Sequence, residues 1–206
     1  NVEFIKLIES FDLPKVLISS GLNISEEDSI KTNDREVSMQ MTDYLISNGH
    51  KRIAFIKGHP THLCINDRFK GYQDAMNRAG IEIDNSIVEN GLNSLSSGEQ
   101  CAERLLSLKE RPTAIFSSND EMAAGVIKVA YRNGLNIPSD LSVVGFDDSP
   151  MTAMITPPLT TVKQPLDAIG EKSAEKLIDK LENKELVRES VINSNIIYRD
   201  SVKKIN

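Results

Sequence analysis

Tryptophan is absent from this 206-residue chain and aromatic residues make up only 5% of it, which leaves little material for stacking a ligand between rings. Cysteine is confined to Cys64 and Cys101, far apart and outside any C-x-x-C spacing, so neither a disulfide framework nor a zinc ribbon is supported. Both read as reduced thiols of a cytoplasmic protein. No apolar run approaches the roughly 20 residues of a membrane helix, and Asn1-Val-Glu-Phe4 has neither the basic nor the apolar region of a signal peptide. The expectation is a soluble chain with no membrane partner. Basic residues are in the minority, 24 Lys and Arg against 30 Asp and Glu, for a net charge of −6. Phosphate recognition rests on clustered Lys and Arg, so this chain is not expected to bind nucleic acid by itself. The G-x-S-x-G elbow, the P-loop, G-x-G-x-x-G and H-E-x-x-H are all missing, so no enzymatic activity and no cofactor are expected. His59-Pro-Thr-His62 with Cys64 matches no standard metal spacing, and no metal site is assigned.

What remains is ordinary globular composition, 39% hydrophobic and 26% charged, arranged in alternating βα units. Lys15–Ser19, Arg52–Lys57, Thr113–Ser117 and Leu141–Gly145 are apolar runs of strand length, with Ile87-Val88 a shorter one. Between them, Glu36–Asn48 and Asp67–Ala79 carry apolar residues at helical spacing and stop before Gly49 and Gly80. Ser96-Ser-Gly-Glu99 has the spacing of a capping box for a third helix. Met122, Val126, Ile127 and Ala130 mark a fourth helix, and Leu166, Ile169, Leu177, Ile178 and Leu181 a fifth.

Such alternation predicts parallel strands with helices on both faces, and right-handed crossovers bring every strand-to-helix loop to one edge. Ligands of open α/β sheets bind at that edge. Ser19, Ser20, His59 to Arg68, Asn119, Asp120, Asp147 and Asp148 are therefore expected to converge, together with a loop over Glu89–Ser94. Each also has a plain reading. Asn119 and Asp120 are good helix caps without any ligand, and Asp147 and Asp148 can cap the segment after them. Arg68 is expected to open its helix, against the macrodipole, which favours a functional role. Arg68, Asn119, Asp147 and Gln164 carry planar groups suited to paired hydrogen bonds with a vicinal diol. A sugar or similar polyol is the natural ligand class.

Five strings, in order, carry a family resemblance: Asn48-Gly-His-Lys-Arg-Ile-Ala-Phe-Ile-Lys-Gly58, Arg68-Phe-Lys-Gly-Tyr72, Pro112-Thr-Ala-Ile-Phe-Ser-Ser-Asn-Asp-Glu-Met-Ala123, Gly134 through Gly145-Phe-Asp-Asp148, and Pro157-Pro-Leu-Thr-Thr-Val-Lys-Gln164. Together they resemble the effector-binding domain of LacI/GalR transcriptional regulators across nearly the whole chain. The resemblance implies an α/β, periplasmic-binding-protein-like type I fold: two doubly wound parallel-sheet subdomains joined by three crossovers, with the N-terminal subdomain incomplete. Residues 1–32 and 165–190 are then a partial N-terminal subdomain, and residues 33–164 and 191–206 the C-terminal one. The crossovers near Ser29–Asn33, Val162–Pro165 and Leu186–Ser190 are the expected hinges.

The implied function is to bind a small-molecule effector, a sugar or sugar derivative, in the cleft between subdomains. Operator DNA is reached only through an N-terminal helix-turn-helix that this chain lacks, and the implied assembly is a homodimer. By resemblance Arg68 grips the effector and Asn119 and Asp147 bind its hydroxyls, with Gln164 a further contact on a crossover. Two positions depart from the family pattern: Ser19 stands where an acid is frequent, and Asn93 where an aromatic frequently stacks. Both are retained as effector contacts. Met122 and Val126, on the expected helix Asp120–Asn133, are either a dimer contact or core. A periplasmic sugar-binding protein of a transporter has the same fold and is the rival reading.

Overall fold

The computed structural model describes residues 7, 8, 10, 11, 13–18, 28–184 and 191–205. Strands β1 (Leu17–Ile18) and β2 (Ser29–Thr32) pair in parallel, and the chain then enters helix α1 (Asp34–Ser47). Next come β3 (Ile53–Lys57), α2 (Cys64–Arg78), β4 (Val88–Asn90), α3 (Leu95–Ser107), β5 (Ala114–Ser117), α4 (Asp120–Arg132) and β6 (Ser142–Val144). After β6 come β7 (Thr161–Lys163), α5 (Leu166–Leu181), β8 (Val191–Ile192) and β9 (Asn195–Ile197).

The main sheet has the order β4-β3-β5-β6, all parallel, with Ile53 opposite Ala114 and Ala114 opposite Ser142. Side chains alternate across its two faces. Ile53, Phe55, Ala114, Phe116 and Val144 pack with Val37, Met41 and Leu45 of α1 and Tyr72 and Met76 of α2. Ala54, Ile56, Ile115 and Val143 pack with Cys101 and Leu105 of α3 and Met122, Val126 and Val129 of α4. Both faces are thus buried, which is why the strands read as nearly continuous apolar runs rather than alternating ones. Met122 and Val126 have no exposed surface at all. They belong to the core, and the expectation that they are a dimer contact does not hold for these side chains.

Close helix pairing explains the glycine within α4. A Cβ on Gly125 would collide with the backbone oxygen of Leu95 at the start of α3, so only glycine lets the two helices approach this far.

Strand β7 runs antiparallel to β9 and touches the main sheet at the bridges Val144 to Thr160 and Asp147 to Lys163. The final residues return along β6. Val143 N–H donates to Ser201 O (2.9 Å), Lys203 N–H to Ser142 Oγ (3.0 Å) and Ile205 N–H to Asn48 O (2.8 Å).

A second sheet, β1-β2-β8, is also parallel. Helix α5 lies on it with only Ile169 and Lys176 buried, the Lys176 ammonium donating to Ser29 O at 3.2 Å. The chain passes between this sheet and the larger unit three times: from β2 into α1, from β7 into α5, and from β8 into β9.

The structure departs locally from the sequence reading. The capping box is Ser94 with Ser97, not Ser96 with Glu99: Ser94 Oγ accepts from the Ser97 N–H and Ser97 Oγ from the Ser94 N–H, each at 3.3 Å. Helix α2 begins at Cys64 rather than Asp67, so Arg68 lies a turn inside it and the macrodipole argument for that residue lapses. Strand β2 stands where the sequence suggests only a crossover. Its four residues, Ser-Ile-Lys-Thr, are too short and mixed to show a period. Ser19, Ser20 and the Leu186–Ser190 crossover lie outside the described residues.

Candidate functional site

The C-terminal ends of β3, β5 and β6 open onto one edge, and there Arg68 is the centre of a polar network. Its side chain is 6% exposed. Nε donates to Asp34 Oδ2 at 2.8 Å, Nη1 to the backbone oxygen of Ser118, and Nη1 again to Asp147 Oδ1 at 3.4 Å. The guanidinium carbon also lies 3.6 Å above the Phe146 ring, a cation–π contact in a dry setting. Burial works to lower the Arg68 pKa, but the Asp34 and Asp147 carboxylates outweigh it and the group is held above its ordinary value. Arg68 is a permanently charged floor.

Asp147 is presented differently. Gly145 and Phe146 carry the chain out of β6, and at Asp147 the backbone turns to φ +113°, followed by φ +55° at Asp148. Such positive values are costly for residues other than glycine and cluster where function fixes the backbone. The Asp147 side chain is 37% exposed. Its Oδ1 accepts from Gln164 Nε2 at 2.5 Å as well as from Arg68, while Oδ2 has no donor among the described residues. Burial raises its pKa, and the Arg68 charge beside it works the other way. Asp148 faces away, held by Arg199 at 2.7 Å and Thr152 at 3.1 Å, and is structural.

A second group of contacts surrounds Asn93, which sits at φ +59° in the β4–α3 loop. Its Oδ1 accepts from the His59 N–H (3.2 Å), its Nδ2 meets His62 Nδ1 (3.0 Å), and its backbone oxygen accepts from Asn119 Nδ2 (3.2 Å). Asn119 Oδ1 in turn accepts from the Met122 N–H at 3.0 Å, capping α4. The plain reading of Asn119 as a cap therefore holds, and both ends of its amide are engaged. The same is true of Asn93: it ties the β3–α2, β4–α3 and β5–α4 loops together.

Arg68, Asp147 and Gln164 thus form one network and Asn93 and Asn119 another, adjoining it through Ser118. Ser19 lies outside the described residues. Sequence reasoning passes over Asp34, which looks like any acid in a first helical turn but is buried as the direct partner of Arg68, accepting also from the Thr32 hydroxyl. Cys64, weighed in the sequence only as a metal ligand and set aside, has a half-buried thiol near Arg68 whose pKa is pushed up by burial. Asp120 reads as a cap in the sequence. Instead it is 2% exposed, its carboxylate accepts from the Thr161 hydroxyl (2.6 Å) and the Ser149 N–H (2.8 Å), and burial raises its pKa to about 6.

Residues 42–202 match the family model of the periplasmic binding protein-like domain. The chain is 36% identical over 196 residues to the HTH-type transcriptional repressor PurR of Vibrio vulnificus, covering 95% of this chain and 59% of that protein. It therefore spans about three fifths of the length of such relatives. Its structure superposes on a transcriptional regulator LacI from Bacillus cereus subsp. cytotoxis with a TM-score of 0.92 at 29% identity, covering all of this chain and 74% of the other. A LacI family regulator from Enterococcus faecium, solved with bound ribose, gives a TM-score of 0.86 at 27% identity over 94% of this chain and 72% of that one.

Proposed function

From a chain that belongs to the periplasmic-binding-protein-like domain family, as an effector-binding domain of LacI-family regulators, we propose that this protein senses a sugar or related small polar metabolite and passes the signal to operator DNA. Arg68, Asp147 and Gln164 hold the effector's hydroxyls. The observation that carries this reading is that their network stands where the passages between the two sheets begin: Asp34 follows the β2–α1 passage and Gln164 lies on the β7–α5 passage. Residues 1–32 and 165–190 form part of one subdomain, and residues 33–164 and 191–206 form the other. A ligand touching both halves favours the closed arrangement by its differential affinity and by no more.

In the whole cytoplasmic regulator this closure shifts the geometry of a homodimer and so the affinity of its DNA-binding headpieces. The ribose held by the Enterococcus faecium relative supports the ligand class. The test is operator affinity of the full-length protein, at fixed salt, with and without a sugar shown independently to bind. A change of at least fivefold, the lower end of ordinary allosteric coupling, is expected. An unchanged affinity under confirmed saturation refutes the regulatory reading.

A further inference from the structure

A buried carboxylate with no capping duty lies behind the site. Asp120 opens α4, yet the cap of that helix is Asn119, whose Oδ1 accepts from the Met122 N–H. Keeping an acid only 2% exposed is costly unless its oxygens find donors. Both do, and the donors come from the two segments that carry expected effector contacts. Oδ2 accepts from the Ser149 N–H at 2.8 Å, just beyond Asp147, and Oδ1 accepts from the hydroxyl of Thr161 at 2.6 Å, on the strand that leads to Gln164. Thr161 is itself fully buried. Gly145 leaves room for the contact, since a Cβ there would collide with Asp120 Oδ1.

These two segments run side by side. The Gly145 N–H donates to Thr160 O at 3.0 Å and the Asp147 N–H to Val162 O at 2.8 Å, and the pairing ends where Gln164 Nε2 donates to Asp147 Oδ1 at 2.5 Å. Asp147 and Asp148 hold φ values of +113° and +55°, and such backbone persists only where its surroundings fix it. On the far side of that turn, Arg199 holds Asp148 and Asp120 holds Ser149. Asp120 also reaches β7, so a slip of the turn along that strand must break one of its two bonds.

Resting on the sugar-sensing reading above, we infer that Asp120 is a positioning residue: through Ser149 and Thr161 it holds Asp147 and Gln164 in register, and so sets effector affinity without touching the effector. The experiment is calorimetric titration of the full-length protein at 25 °C and pH 7.5, where a carboxyl of pKa about 6 is ionised, with ribose, glucose and cellobiose as probes. Thr161→Val keeps the shape and removes the donor. It is expected to weaken the sugar that binds wild type by about tenfold, the lower end for a hydrogen bond to a charged group. Thr161→Ser keeps the donor and should stay within about threefold of wild type on the same scale. Asp120→Ala should lose at least as much as Thr161→Val, and the Thr161 pair decides the matter even where that variant does not fold. Thermal unfolding of each variant separates the two roles, because a residue serving the fold alone lowers the melting temperature and leaves the affinity of the folded protein unchanged. Wild-type affinity in Thr161→Val, or equal losses in Thr161→Val and Thr161→Ser, which trace the effect to packing, overturns the inference and leaves the sugar-sensing reading standing. If none of the three sugars binds the wild-type protein, the sugar-sensing reading falls and the inference with it.

Discussion

Removing Asp34 tests whether the Arg68 network is a true buried ion pair. The two side chains are 5% and 6% exposed, and Nε to Oδ2 is 2.8 Å. Breaking a buried pair from one side costs about 3–5 kcal/mol, because the surviving charge is left in a poorly solvating environment. Here Asp147 at 3.4 Å and the Ser118 carbonyl still face the guanidinium, so Asp34→Ala should lie toward the lower end, about 3 kcal/mol. Asp34→Asn retains an acceptor for Nε but not the charge, and should cost about half as much, near the value of a hydrogen bond to a charged group. At roughly 2–4 °C per kcal/mol for a domain of this size, the alanine variant should melt about 6–12 °C below wild type. Thermal and urea unfolding of the full-length protein, followed by circular dichroism, reads both. If Asp34→Ala melts within about 2 °C of wild type, under 1 kcal/mol on the same scale, Arg68 is solvated or differently paired and the site geometry is wrong.

Other outcomes rest on the same physics. Asp120 has a folded pKa of about 6 against about 3.9 unfolded, so the folded state holds the extra proton. Its contribution is fully present below the unfolded pKa and is lost as pH rises through the folded one. It amounts to about 3 kcal/mol, and stability should fall from about pH 4 to pH 6.5 on this account. Asp120→Asn should flatten that slope in urea unfolding at several pH values, and an unchanged slope refutes the assignment. Gly125→Ala should force α3 from α4 and destabilise by about 1–3 kcal/mol, read by the same unfolding assay. A neutral result there means the helices slide apart freely.

The alternating βα pattern is legible in the sequence because strands buried on both faces are short apolar runs, and Ile53–Lys57 and Ala114–Ser117 stand out as such. Helix interiors are legible for the same reason, and the start of α4 is announced by Asn119, while the start of α2 is not. Cys64-Ile-Asn66 carries no cap side chain, so nothing in the sequence announces that α2 begins ahead of Asp67. Within the site, Arg68, Asp147 and Gln164 do converge. Asn93 and Asn119 are occupied with holding loops, since an amide's hydrogen-bond partners come from residues 26 to 34 positions away. Asp34 escapes notice because a carboxylate in a first helical turn looks alike whether it faces water or a buried guanidinium.

The return of residues 199–205 along β6 sets a timetable for synthesis. The main sheet's last strand, β6, takes its outer hydrogen bonds from Thr160 and Ser201, and α1's end is tied down by Ile205. Between these segments the chain builds α5 and β8, which belong to the other sheet. While the ribosome is still making them, β6 lacks part of its covering and presents an open parallel edge, the kind that invites wrong pairing. The larger unit therefore closes only after the smaller one's last strand has been made, and the two must mature together rather than one after the other.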